Sequence, residues 1–352
     1  MKYLCIVNTY YQLLFCIQMR LTILNNVYMT ILISDHSKNA NQIAEIIKEK
    51  KIFNEVHYIR TRDIDVNIGI KQKIIDCVKL SGYNETRYDY LFDVVENKYY
   101  DMFLFYNLGY LYIDACYSYF WRFNKNLKIS LFEEGILAYS IDYYSLRRRK
   151  LVDYLKRIKG KPPIVNQIVS YYCFYPVLFK GNFNVKQVPL ISQGASISRV
   201  LQDIFKINLQ YKQKYIFFTS VYDFEGGKPV GEFELVNKIA NLVGKDNLLI
   251  KTHPRDTRTI YQDNGFYVDQ NSSIPWEAIQ LSGDFSDKVF MTINSGSVLS
   301  GSTMSEKPVR TYYMYKLCDI SGNLPCQKNA RDIENLLDNE SMREVLRMVH
   351  IA

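Results

Sequence analysis

The residues best able to do chemistry lie where short apolar runs end. Leu131-Phe132-Glu133-Glu134-Gly135 delivers two carboxylates and then a glycine that lets the backbone turn at once. Neighbours on a strand point to opposite faces, so one of Glu133 and Glu134 would face a crevice, where a carboxylate can act as a general base. A capping acid in a turn is the plainer alternative. Leu248-Leu249-Ile250-Lys251-Thr252-His253-Pro254-Arg255 brings an imidazole to a strand end. Of the four histidines, His36 falls in a polar turn, His57 alternates within a strand and His350 closes the chain. His253 differs, because it ends an apolar run and precedes a proline that holds its backbone extended. Lys251 and Arg255 make the spot electropositive and suited to a phosphate; a hydrogen-bonded loop histidine is the competing explanation.

Val289-Phe290-Met291-Thr292-Ile293-Asn294-Ser295-Gly296-Ser297 leads from a strand into a helix. Backbone N–H groups and serine hydroxyls would converge there on a helix N-terminus, which is a phosphate cradle in physical terms. Thr292, Ser295, Ser297, Ser300 and Ser302, with Gly296 and Gly301, exceed what an N-cap requires. The pattern is neither a Walker A loop nor G-x-G-x-x-G. Thr219–Gly227 is a further loop after a strand, in which Asp223 or Glu225 could supply a base or merely turn the chain. Asp63-Ile64-Asp65 mimics a metal-binding acidic triplet, but it lies far along the chain from the phosphate candidates and such triplets arise by chance.

These stretches need elements to hold them. Strands are expected at 3–7, 28–33, 55–59, 100–105 and 127–132, with helices at 11–24, 39–50 and 111–121 between them. The rhythm restarts after Pro189, with strands at 215–219, 248–251, 266–268, 289–293 and 309–313. Helices are expected there at 197–205, 233–243, 276–281 and 298–305, and one closing helix over 332–349. Short apolar strands alternating with helices imply parallel sheets covered on both faces. The expected architecture is α/β, two doubly wound domains facing across a cleft, with ligands at the carboxyl ends of the strands. A linker near 180–212 divides residues 1–190 from 191–330, and 331–352 forms a C-terminal helix.

The 352 residues suffice for two such domains, and a composition of 48% hydrophobic and 23% charged residues excludes a disordered or fibrous chain. Thirty tyrosines, nineteen phenylalanines and two tryptophans supply rings for sugar stacking, interfaces or a membrane boundary. No apolar stretch is long enough for a transmembrane helix, and the N-terminus reads as a buried strand. Seven scattered cysteines without CxxC pairs or histidine clusters point to reduced core residues and no structural metal. The formal charge is +8, and residues 147–161 carry eight basic residues against one acid, Asp153. Leu151, Val152, Leu155 and Ile158 give that segment one apolar stripe on a basic helix, a pattern that fits a solvated face or a peripheral contact with an anionic membrane. No nucleic-acid-binding pattern accompanies it.

Taken in order, Glu133-Glu134-Gly135, His253-Pro254 and Asn294-Ser295-Gly296-Ser297 resemble the D/E-D/E-G, HP and Ser/Thr-rich motifs of bacterial sialyltransferases of glycosyltransferase family 52 and of related sialyl- and polysialyltransferases. Asn8-Thr9-Tyr10-Tyr11-Gln12-Leu13-Leu14 resembles the first strand-to-helix loop of that family. The resemblance implies a GT-B fold, with an N-terminal acceptor domain to which Thr9, Gln12 and Gly135 contribute and a C-terminal domain binding CMP-sialic acid. It implies inverting transfer, without metal or other cofactor, to a terminal hydroxyl, usually of galactose, on a surface glycan such as lipooligosaccharide or capsule. Glu133 or Glu134 would be the base, with Asp223 or Glu225 left open as its replacement, and His253, Lys251, Pro254, Asn294, Ser295, Gly296 and Ser297 would meet the donor phosphate. It also implies work at the cytoplasmic face of the membrane and is compatible with a homodimer. Two departures stand out: glutamates replace the commoner aspartates, and Gly296 splits the two serines. A GT-B enzyme using another nucleotide sugar, or a silent glycan- or nucleotide-binding protein, is the alternative.

Overall fold

The computed structural model describes every residue except 63, 65–67, 108–109, 141–146, 193, 209–210, 222–227 and 272–273, and leaves aside the side chains of 137, 140 and 147–150. The chain divides into two compact units, Met1–Pro189 and Leu190–Ala352.

Unit 1 is built on seven strands: β1 (Lys2–Val7), β2 (Tyr28–Ser34), β3 (Glu55–Ile59), β4 (Met102–Phe105), β5 (Lys128–Phe132), β6 (Ile168–Cys173) and β7 (Asn184–Gln187). They pair in parallel in the order β3-β2-β1-β4-β5-β6-β7. Helices α1 (Tyr10–Leu21), α2 (Ala40–Glu49), α3 (Ile70–Ser81), α4 (Leu111–Trp121) and α5 (Arg147–Ile158) join them. β1 is flanked on both sides, so its residues after Lys2 are all buried and it reads as an unbroken apolar run. Each large aliphatic residue so buried stabilises the fold by about 1.5–3 kcal/mol. β6, β7 and α3 went unrecognised in the sequence, because the aromatic run 164–179 shows no clear alternation and α3 turns isoleucines outward.

Unit 2 repeats the design with β8 (Tyr215–Phe218), β9 (Leu248–Lys251), β10 (Tyr267–Val268), β11 (Val289–Thr292), β12 (Arg310–Tyr313) and β13 (Val349–Ile351). The order is β10-β9-β8-β11-β12-β13, again all parallel. Its helices are α6 (Ser196–Phe205), α7 (Glu232–Val243), α8 (Ile260–Asp263), α9 (Trp276–Ser282), α10 (Ser297–Met304), α11 (Leu324–Leu337) and α12 (Glu340–Val345). The single closing helix expected over 332–349 is interrupted: the Asn339 side chain accepts from the Met342 N–H and caps a new helix. His350, expected to hang at the terminus, lies in β13, paired with Tyr312.

Both sheets therefore run outward from a first strand in two directions. The strand order reverses between β1 and β4 in unit 1 and between β8 and β11 in unit 2, and the carboxyl side of such a reversal is where doubly wound sheets bind ligands. No helix of the described residues is long and apolar enough to cross a membrane. All seven cysteines are free thiols.

Candidate active site

In unit 1, Asn8 follows β1, Asn107 lies two residues beyond β4, and Glu133-Glu134-Gly135 follows β5. Thr9 caps α1 and Gln12 reciprocates: the Gln12 N–H donates to Thr9 Oγ1, and Gln12 Oε1 accepts from the Asn8 and Thr9 N–H groups. Both residues thus fix the loop after β1. Asn8 is buried behind them, its amide donating to the Tyr106 and Tyr112 hydroxyls and its carbonyl accepting from Ser34 Oγ at 2.8 Å.

The two glutamates occupy different surroundings. Glu133 is 0% exposed, and its carboxylate accepts from the Tyr11 and Tyr139 hydroxyls and from the Phe174 N–H at 3.0 Å. Phe15 of α1 locks this arrangement, stacking on Phe132 at 5.8 Å and meeting Phe174 edge-on at 4.9 Å. Burial raises the Glu133 carboxyl to about 7 against the pull of those three donors. Glu134 is only partly buried, and the Asn107 amide donates to its Oε1 at 3.1 Å. Burial raises it to about 7 as well, with the Asn107 hydrogen bond opposing. Gly135 has φ +134°, a backbone that a side chain rarely adopts, so the chain turns away directly after the acid. Around Glu134 stand rings the sequence did not single out: Tyr110 lies 6.2 Å from Tyr106 and 6.3 Å from His36, centroid to centroid. His36, read as a bland turn residue, has Nδ1 in contact with Ser34 Oγ and Thr61 Oγ1 at this same edge. The signal for Asn8 and Asn107 was positional: each is a polar residue at or just beyond the end of an apolar strand.

In unit 2, Thr219 and Ser220 follow β8, His253 follows β9, and Asn294–Ser297 follow β11. Thr219 ties two of these together, its Oγ1 accepting from the His253 N–H at 3.0 Å and its own N–H donating to the Lys251 carbonyl at 3.0 Å. The His253 ring is half-buried, and its Nδ1 accepts from the Arg255 N–H at 3.1 Å. That bond leaves the imidazole proton on Nε2, which makes Nε2 the donor. Lys251 points elsewhere: it is 5% exposed, its ammonium lies 2.7 Å from the buried Asp269 carboxylate, and it donates to the Asn271 carbonyl at 3.2 Å. Asn294 is buried and donates to the Cys326 carbonyl at 2.8 Å, which anchors the loop. Ser295 and Ser297 remain partly exposed, and Gly296 opens α10 without a side chain of its own to cap the first N–H groups of that helix. Trp276 of α9 packs on Phe218 at 4.8 Å and Phe290 at 5.4 Å, fixing β8 and β11 beneath the loops.

Two charged residues at this edge were missed. Arg258 pairs with Asp256 at 2.7 Å and donates to the Ser220 carbonyl at 3.3 Å. Glu277, whose carboxyl is raised by burial, is hydrogen-bonded by Ser300 and drawn down by the Lys251 ammonium. Their side chains reach the strand ends from helices and loops, so no strand-end pattern marks them. Asp223, Glu225 and both aspartates of the Asp63–Asp65 triplet lie outside the described residues. Among the described residues no group of three histidine, cysteine or acidic side chains could hold a metal ion.

Comparison with known proteins adds the family. No curated protein matches the chain in sequence. An α/β-galactoside α-2,3-sialyltransferase from the luminous marine bacterium Photobacterium phosphoreum is similar in structure, with a TM-score of 0.51 at 11% identity over 99% of this chain and 98% of that one. A UDP-GlcNAc 2-epimerase from Neisseria meningitidis gives 0.45 at 12% identity over 100% and 95%. The fold is GT-B, in keeping with the likeness to that sialyltransferase, and the two doubly wound sheets are its two halves. The motifs resembled family 52 sialyltransferases and their polysialyltransferase relatives, and it is a model of the latter, the alpha-2,8-polysialyltransferase (POLYST) family, that matches residues 3–301, a span that contains every one of those motifs. With that span covering most of its length, the chain is a glycosyltransferase and belongs to the alpha-2,8-polysialyltransferase family.

Proposed function

We propose that the protein transfers sialic acid from CMP-sialic acid to a terminal hydroxyl of a bacterial surface glycan, with inversion and without a metal ion. The observation that carries the reading is the placement of the motifs: they follow β1 and β5 in unit 1 and β11 and β9 in unit 2, so in each unit one motif lies at the reversal of strand order and the other one strand beyond it on the opposite side. Unit 1 supplies the base. Glu134, partly buried, held by Asn107 and raised to about 7, takes the proton from the acceptor hydroxyl, whereas Glu133 is saturated by its three donors and holds the loop. Unit 2 supports the leaving group. As the acceptor oxygen bonds to the anomeric carbon, the bond from that carbon to the phosphate oxygen breaks and CMP departs with the electron pair. His253 Nε2–H, the open N-terminus of α10 and the Ser295 and Ser297 hydroxyls stabilise the charge that develops on the phosphate. Lys251 acts at one remove, clamping β9 to the Asp269 segment beneath His253.

The family name favours a sialylated acceptor and an α-2,8 linkage; galactose, expected from the motif resemblance, is the competing acceptor. The test is incubation of purified protein with CMP-Neu5Ac, with lactose or with a sialyl-lactoside, in the presence and absence of EDTA, following CMP release and product mass. CMP release that depends on the sialyl-lactoside and persists in EDTA is the expected result. Transfer from a UDP-sugar alone overturns the donor assignment, and tight CMP binding without turnover of either acceptor overturns the enzymatic one.

A further inference from the structure

Helices α3 and α5 pack against each other on unit 1, and they carry their side chains inside out. A helix on a water-facing surface buries its aliphatic residues and shows its charges. Here the acids are hidden: Asp76 of α3 is buried and paired with Arg87 at 2.8 Å, and Asp153 of α5 is buried and accepts from the Ile164 N–H at 3.1 Å. A lysine is hidden too, since Lys156 is 0% exposed, with Nζ 3.4 Å from the Tyr83 ring centroid and 3.0 Å from the Leu80 carbonyl. Meanwhile α3 exposes Ile70, Ile74, Ile75 and Val78, the first of them 78% accessible, and α5 exposes Leu151, Tyr154 and Ile158, the last 65% accessible. Of the stripe expected from the sequence, Val152 faces the core and Leu151 and Ile158 face out, joined by Tyr154. The exposed charges among the described side chains of this face are all basic: Lys71 and Lys79 on α3, Arg157 on α5 and Lys159 just after it. Lys159 reaches across to the Val78 carbonyl at 2.7 Å, which brings the two helices' outer faces together.

We infer that the outer face of α3 and α5 docks on a bilayer rich in anionic phospholipid. Exposed aliphatic side chains enter the boundary between headgroups and acyl chains, and the lysines and arginine pair with the headgroup phosphates. Charge decides among occupants. A second copy of the same face would set lysine against lysine, and a soluble polyanion would leave the isoleucines in water. An anionic membrane satisfies both components, and no acid among the described side chains of the two helices is exposed to repel it.

The experiment is flotation of the full chain with vesicles of phosphatidylcholine alone or with about 30 mol% phosphatidylglycerol, where each basic residue near the surface is worth about fivefold in binding. The expected result is binding to the anionic vesicles, weak binding to phosphatidylcholine, and a loss of at least about tenfold in the variant I70S/I74S/I158S. All three side chains are exposed, so the variant should keep the wild-type thermal midpoint, which is measured alongside. A second variant, K79E/R157E, should lose binding and its salt sensitivity together. Three results overturn the inference: no binding of wild type to anionic vesicles, undiminished binding by the folded triple variant, or a wild-type dimer in sedimentation equilibrium that the triple variant converts to monomer.

Discussion

Glu133 and Glu134 are consecutive in the chain yet sit in opposite settings at the end of β5, one sealed among two tyrosine hydroxyls and a backbone N–H, the other partly open beside a single asparagine amide. The alternation of a strand produces this split without any further device. Removing each carboxylate should therefore have different consequences. Glu133→Ala strands three buried donors, each costing about 1–3 kcal/mol, and should lower Tm by several degrees. Glu134→Gln keeps shape and hydrogen bonding, so it should melt with wild type while losing about 10²–10⁴-fold in transfer rate. Differential scanning calorimetry with an initial-rate assay distinguishes them; a stable, inactive Glu133→Ala beside an active Glu134→Gln would reverse the assignment.

The pH profile follows from the same pocket. Burial lifts the Glu134 carboxyl to about 7, and a general base must be ionised to work. kcat/KM should thus climb about tenfold per pH unit below neutrality and level off above it. The Asn107 hydrogen bond favours the charged carboxylate, so its loss in Asn107→Ala should move the acid limb to higher pH. A limb centred near the ordinary glutamate value of about 4.3, unmoved in the variant, would exclude Glu134 as the titrating base.

Lys251 and Asp269 form a buried ion pair, 5% and 2% exposed at 2.7 Å, so neither can be removed alone without stranding a charge. Lys251→Met and Asp269→Leu should each destabilise the protein by about 3–5 kcal/mol, and the double variant by much less. Urea unfolding of the four proteins completes the cycle. If Lys251→Met kept full stability and instead weakened CMP binding, the lysine would be a phosphate ligand rather than a clamp.

The sequence was most legible where burial leaves one solution. The apolar runs at β1, β5, β9 and β11 could only be covered strands, and the polar residues just beyond them could only fall at the sheet's carboxyl edge. Choosing between Glu133 and Glu134 was beyond it, because Tyr11, Tyr139 and Phe174 come from three separate parts of the chain. Lys251 looked like a phosphate ligand for the same reason: its partner Asp269 is eighteen residues further on, past α8 and just after β10. Helix α3 escaped notice because its exposed isoleucines break the rule by which surface helices are found, and Asn339 divided the expected closing helix by capping a second one.

His253 offers the sharpest test of the leaving-group role. The Arg255 N–H fixes Nδ1 as acceptor, so Nε2 is the atom that can donate to a departing phosphate. A glutamine amide nitrogen lies nearer to the position of Nε2 than an asparagine amide does. His253→Gln should accordingly retain more activity than His253→Asn or His253→Ala, each of which should fall by about 10²–10⁴-fold in kcat. Because the donor acts on charge that develops during bond breaking, the loss should appear in kcat more than in KM for CMP-sialic acid. Wild-type activity in all three variants would remove His253 from the reaction, and a loss confined to KM would make it a ground-state contact only.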